Sequence, residues 1–208
     1  MTHPDWLHLI TSRRQTSPVR PPADARPRLP RLDGIRAVVF DVYGTLFSSG
    51  VGDIGLVTEE NRDAALRATL TGHGLQLAAG ARNERLDDLL HEVIQNHQTE
   101  RRAQGVEYPE VDIRRVWSNF VETLLDKRLL ESGGAVDIET LVIDYEARVN
   151  PTQPMPGLSG ALATLREFGP LSIISNAQFY TPLLFEAFLG ETTEALGFCS
   201  ACNVWSYN

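Results

Sequence analysis

Two short apolar runs each end on residues able to do chemistry. The first, Ala-Val-Val-Phe over residues 37–40, leads straight into Asp41. The second, Leu-Ser-Ile-Ile over 171–174, leads into Ser175 and Asn176. A carboxylate can attack phosphorus or carbon as a nucleophile and form a covalent intermediate. A serine hydroxyl beside it, with the backbone amides of the turn Tyr43-Gly44-Thr45 that follows Asp41, can hold a phosphate or an oxyanion. Taken singly, such residues are commonly turn or capping residues. Their joint placement makes them a candidate site. A short apolar run bounded by turn residues reads as a buried strand, and open α/β sheets bind ligands beyond the carboxyl ends of their strands.

The elements that must position these residues follow from the pattern around them. Residues 35–41 read as the first strand and 48–57, rich in glycine, as a loop. From 58 to about 148 the chain reads as helical. Thr58 can cap a helix whose first turn carries Glu59 and Glu60, as the helix dipole favours. Leu86, Leu89, Leu90, Val93 and Ile94 form one apolar stripe at helical spacing, and Ile113, Trp117, Phe120, Val121 and Leu124 a second. A third helix over 138–149 is closed by Asn150 and Pro151. Beyond it come a helix over 158–168 stopped by Gly169 and Pro170, a strand over 171–175, and a helix over 181–189 stopped by Gly190. A third strand over 203–207 ends the series. Strand, helical insert, helix, strand, helix, strand is an α/β order with an inserted helical subdomain.

Composition narrows the function. The apolar fraction of 42% and charged fraction of 22% are ordinary for a globular chain. No apolar run reaches the roughly 18 residues of a membrane span, and no secretory leader opens the sequence, so a cytoplasmic protein without a membrane partner is expected. Residues 1–36 hold seven arginines against three aspartates, which leaves the remainder at a formal −12. So acidic a body argues against nucleic acid as the main partner; a small-molecule substrate is expected, and oligomeric state is left open. Six prolines within residues 1–34 read as a disordered basic tail, although Trp6, Leu7, Leu9 and Ile10 would allow one amphipathic turn.

Three further patterns bear on function. Gly50, Gly52 and Gly55 spell G-x-G-x-x-G, but the Asp41 turn separates them from the strand and residues 70–83 hold no acid for a ribose, so a dinucleotide site is not expected. His91 and His97 lack companions at metal-ligand spacing and read as surface or packing residues. Cys199 and Cys202 are the two cysteines, spaced C-x-x-C. They are too few for a structural zinc site. A redox pair is one reading, and two small buried thiols the favoured one.

Residues 37–45, AVVFDVYGT, followed by a helical insert and then LSIISNAQ, resemble the haloacid dehalogenase-like (HAD) hydrolase superfamily over about residues 35–208. The first stretch is similar to the superfamily motif hhhhDxDGT, and the second to its strand ending in Ser or Thr. The resemblance implies a Rossmann-like three-layer core (35–57 and 150–208) with an α-helical cap at 58–149. Asp41 would be the nucleophile and a Mg²⁺ ligand, and Tyr43 would offer the metal its backbone carbonyl. Thr45 would orient nearby groups, and Gly44, Ser175 and Asn176 would bind the phosphate. Asp53 and its flanking glycines would lie in a flap over the site.

The sequence departs from this pattern twice. Tyr43 stands where most phosphatases of the superfamily have a second aspartate, which protonates the leaving alcohol. The 2-haloacid dehalogenases share the tyrosine, since halide needs no proton to leave, but they also carry an arginine soon after the first motif. No basic residue lies between Arg36 and Arg62 here. Next, the superfamily uses a lysine and then a pair of acids from later strands. The one lysine here is Lys127, in the helical insert, and no Asp follows Asp144. The expected core therefore lacks its C-terminal strands, the first strand becomes an edge, and the Mg²⁺ site is incomplete. The expected function is a HAD-like hydrolase acting on a phosphate ester. The alternatives are a 2-haloacid dehalogenase or a non-catalytic remnant.

Overall fold

The apolar runs form a small parallel sheet, and the rest of the chain packs around one face of it. The structure is a computed structural model that describes residues 2–14, 26, 30–49, 59–131 and 136–207. Strand β1 (Val38–Phe40) pairs in parallel with β4 (Leu171–Ser175), and β4 in parallel with β5 (Val204–Trp205). The order is β1-β4-β5, so among the described residues β1 is an edge strand. Between β4 and β5 runs α7 (Leu183–Leu189), and before β4 runs α6 (Leu158–Leu165). Two right-handed crossovers in one direction place both helices on one face. Side chains bear this out. Phe40, Leu171 and Ile173 face a cluster in which Phe198 meets Phe40 at 6.0 Å and Phe185 at 5.6 Å, both edge to face. On the opposite face Val39, Ile174 and Val204 remain 55%, 56% and 55% exposed. The described residues thus build two layers rather than the expected three. Gly169 is required where β1 and β4 begin. A Cβ there would stand 2.6 Å from the Arg36 carbonyl, too close for any side chain.

A second, antiparallel pair joins β2 (Phe47–Ser49) to β3 (Thr152–Pro154), with Phe47 opposite Pro154 and Ser49 opposite Thr152. The sequence reading had placed residues 48 and 49 in a loop. Between these strands lie α2 (Glu59–Gly72), α3 (Leu86–Ala103), α4 (Ile113–Asp126) and α5 (Ile138–Val149). The helical stripes meet as expected: Leu66, Leu86, Trp117, Phe120, Leu124 and Leu141 are fully buried. Asp112 and Asp137 cap α4 and α5 by accepting from the Arg114 and Thr140 amides at 3.0 and 3.1 Å. His91 is exposed and His97 half-buried, each beside an amide side chain, as surface residues should be. Among the described residues, no helix is long and apolar enough to cross a membrane. Several expectations fall outside the described residues: Pro18, Pro21, Pro22, Pro27, the Gly50/Gly52/Gly55 loop with Asp53, and the Thr58 cap. The side chains of Glu59 and Glu60 do so as well.

Two further expectations are corrected. The tail read as disordered over 1–34 opens with an ordered helix, α1 (His3–Ser12), started by the Thr2 amide and hydroxyl donating to Asp5. The one proline of α1 stands in the first turn, where no helical N–H is lost, and tertiary contacts hold so short a helix. Ile10 is buried, the Trp6 indole N–H donates to Thr140 at 2.8 Å, and His3 meets Glu186 of α7 at 2.9 Å. The helix therefore ties α5 to α7. The cysteines are not buried thiols: Cys199 is half-buried and Cys202 exposed, because the short 3-10 helix Ser200–Cys202 lies on the surface.

Asp144 on α5 concentrates charge beneath α1. It is 1% exposed and accepts from Arg13 at 2.9 Å, Arg148 at 3.0 Å and His73 at 3.3 Å. Removing a buried ionic partner costs about 3–5 kcal/mol when all groups are dry. Arg13 and Arg148 reach solvent at 32% and 22% exposure, so Asp144→Ala is expected to lower stability by about 2 kcal/mol in urea unfolding.

Candidate active site

The parallel register sets Phe40 opposite Ile173, so Asp41 leaves β1 beside the last residues of β4. There the Ser175 hydroxyl donates to Asp41 Oδ1 at 2.7 Å. Ser175 is buried while Asp41 is exposed, so the bond fixes one carboxylate oxygen and leaves the group open to a ligand. Asn176 follows, exposed, with its Oδ1 2.7 Å from the Ser206 hydroxyl. Ser206 also accepts from the Ala177 amide at 2.9 Å, and its own amide donates to the Ser175 carbonyl at 3.2 Å. It therefore holds the Ser175–Asn176 turn in place. Sequence reasoning missed Ser206. The available signal was its position just after the third strand, at the same end of the sheet as Asp41 and Ser175.

The turn after Asp41 is built differently from the expectation. The Thr45, Leu46 and Phe47 amides all donate to the Val42 carbonyl, at 3.2, 2.9 and 3.0 Å, and the Gly44 amide to Phe47 at 2.7 Å. These four donors serve the turn itself, so the Gly44 and Thr45 amides are engaged within it. Gly44 sits at φ +80°, which explains why glycine stands there. Thr45 is exposed beside it. The Tyr43 hydroxyl turns away from Asp41 to Thr181, at 3.1 Å. Burial pushes its ionisation upward, and the nearby Glu146 adds to this. Of the expected site residues, then, Asp41 and Ser175 meet directly, Asn176, Gly44 and Thr45 flank them, and the Tyr43 side chain belongs to a separate cluster.

That cluster lies between the sheet and the helices. Glu146 of α5 accepts from the Asn150 amide at 3.0 Å and is also hydrogen-bonded to Tyr180. Burial is the largest cause raising its carboxyl above the usual range. A cavity of about 420 Å³ opens beside it, lined by Arg62, Trp117, Tyr145, Glu146, Gln178 and Tyr180 among others. Asp41 does not line it.

A family model described as a haloacid dehalogenase-like hydrolase matches residues 35–195. The match spans both strand ends and every helix between them. The chain belongs to the haloacid dehalogenase-like hydrolases. No curated protein matches it significantly. These hydrolases generally use Mg²⁺, an ion that prefers octahedral oxygen coordination. Asp41 and the Tyr43 carbonyl are the donors expected for it. Among the described residues no group of three His, Cys, Asp or Glu side chains converges on a metal position. One carboxylate and one carbonyl do not make an adequate donor set, so the described residues by themselves do not fit the ion.

Two outcomes test this geometry. Gly44→Ala, forced into the left-handed region, is expected to lose about 1 kcal/mol of stability in denaturant unfolding. Glu146 supplies a pH test. Its folded-state ionisation lies above the unfolded one, so the folded chain holds the extra proton. Its contribution is complete below the ordinary glutamate range and is lost as pH rises through the folded-state value. Urea midpoints should therefore decline with rising pH across that window, and Glu146→Gln should flatten the decline.

Proposed function

We propose that the protein hydrolyses phosphate monoesters through covalent catalysis by Asp41. The observation that carries the reading is the 2.7 Å bond from Ser175 to Asp41 Oδ1. It leaves Oδ2 to attack phosphorus, with the leaving alcohol departing on the far side. The resulting aspartyl phosphate is opened by water to free phosphate and the carboxylate. In this reading α2–α5 act as a cap, the β2–β3 pair is the hinge on which it is mounted, and Ser175 and Asn176 hold the phosphoryl oxygens. The substrate is a small molecule.

Tyr43 shapes the substrate range. Its hydroxyl is bonded to Thr181 and its ionisation is pushed upward, so it is a poor proton donor to a departing alkoxide. Esters whose alcohol leaves as a stable anion are favoured. The same feature supports a second reading, displacement of halide from a 2-haloacid, where the leaving group needs no proton. A non-catalytic role is the third outcome.

The test is a series of aryl and alkyl phosphates. Turnover should fall at least tenfold from nitrophenyl phosphate to an alkyl phosphate, and Asp41→Asn should abolish it, a loss of about 10³-fold or more. Halide release from 2-chloropropionate without phosphate release would favour the second reading. No turnover of either substrate would favour the third.

A further inference from the structure

We propose that Cys199 and Cys202 form a reversible dithiol–disulfide site that exchanges with low-molecular-weight disulfides. This goes beyond the hydrolase reading and does not rest on it. The two thiols bracket the 3-10 helix Ser200–Cys202, whose turn is closed by the Cys202 amide donating to the Cys199 carbonyl at 2.8 Å. Their sulfurs lie 2.7 Å apart, so reaching the roughly 2.05 Å of a disulfide bond takes a sub-ångström approach. The backbone of the turn is held in place from β4. The Cys199 amide donates to the Leu171 carbonyl at 2.8 Å, and the Ser172 hydroxyl to the Cys202 carbonyl at 3.1 Å. The Ile173 amide donates to the Asn203 side chain at 2.9 Å. The turn is thus fastened to β4 on its inner side, while Cys202 is open to solvent.

The chemistry balances as a two-step exchange. The exposed Cys202 gives up its proton to solvent and attacks one sulfur of the small disulfide, forming a mixed disulfide and releasing one thiolate. Cys199 then loses its proton to solvent and attacks the Cys202 sulfur, expelling the second thiolate. Both thiolates take up protons, so the chain loses two hydrogens and the small disulfide gains them. Contact with Cys199 raises the Cys202 thiol above its usual range, so the first step should quicken as pH rises. The site lies at the amino end of β4, and Ser175 at its carboxyl end, so exchange is independent of the Asp41 chemistry.

The two cysteines are the only ones in the chain, which makes the readout direct. The reduced full-length protein is incubated with oxidised glutathione and read by intact mass and native thiol titration. The expected result is loss of both titratable thiols, a mass lower by two hydrogens, and a monomer on a non-reducing gel. Cys199→Ser should instead retain one glutathione on Cys202. A persistent glutathione adduct on the unaltered chain, disulfide-linked dimers, or two thiols still titratable would each overturn the proposal. So would a Cys199→Ser protein that takes up no glutathione.

Discussion

The parallel pairing of β1 with β4 is the constraint on which the rest depends. Val38, Val39 and Phe40 lie opposite Leu171, Ser172 and Ile173, and this register alone brings Asp41 to the Ser175 hydroxyl. A slip of one residue would turn each side chain to the other face and break that bond. The register is fixed at its start by Gly169, where the Arg36 backbone passes too closely for a side chain, and by the Val38 amide donating to Pro170 at 3.1 Å. It is fixed along its length by the aromatic cluster beneath Phe40. These contacts act on one face only. Val39, Ile174 and Val204 face outward on the other, so among the described residues the strand that leads into Asp41 is held by a single layer and a single neighbour.

The helices connect to the sheet through the β2–β3 pair and through α1. The β2–β3 pair joins the sheet to α2–α5, and α1 binds α5 and α7 together across the same region. Tyr43 stands at this junction. Its backbone belongs to the turn after Asp41, while its hydroxyl belongs to the Thr181, Tyr180 and Glu146 cluster under the helices. Movement of α5 would therefore reach the turn beside Asp41 through packed side chains and hydrogen bonds. The enclosed Glu146 carboxyl and the buried Asp144 act on the same helix. One favours its neutral form through burial; the other is ionic, matched by Arg13, Arg148 and His73.

Much of this was legible in the sequence, for identifiable reasons. Leu171–Ser175 and Ile138–Val149 form the elements their patterns imply, because a short apolar run and a capped amphipathic stripe leave few alternatives. Asp41 and Ser175 were legible because strand ends are read from the same runs. What was not legible depends on distant partners. Helix α1 owes its order to Thr140, Asp144 and Glu186, more than a hundred residues away. Ser206 acts through hydrogen bonds to a turn some thirty residues earlier. The three-residue strands β2 and β3 are too short to show a period. That the Gly44 and Thr45 amides donate within the turn, to Phe47 and Val42, is visible only in the folded chain.

Chemically, the site is a carboxylate with one oxygen restrained, the other free, and no proton donor in the position of Tyr43. The account stands or falls on whether Asp41 becomes covalently phosphorylated. The most direct measurement is rapid acid quench of the protein during turnover of nitrophenyl phosphate, followed by peptide mass spectrometry. The account predicts a phosphoryl group on Asp41 that hydroxylamine removes. Turnover with no adduct, or with the adduct on any other residue, would contradict it.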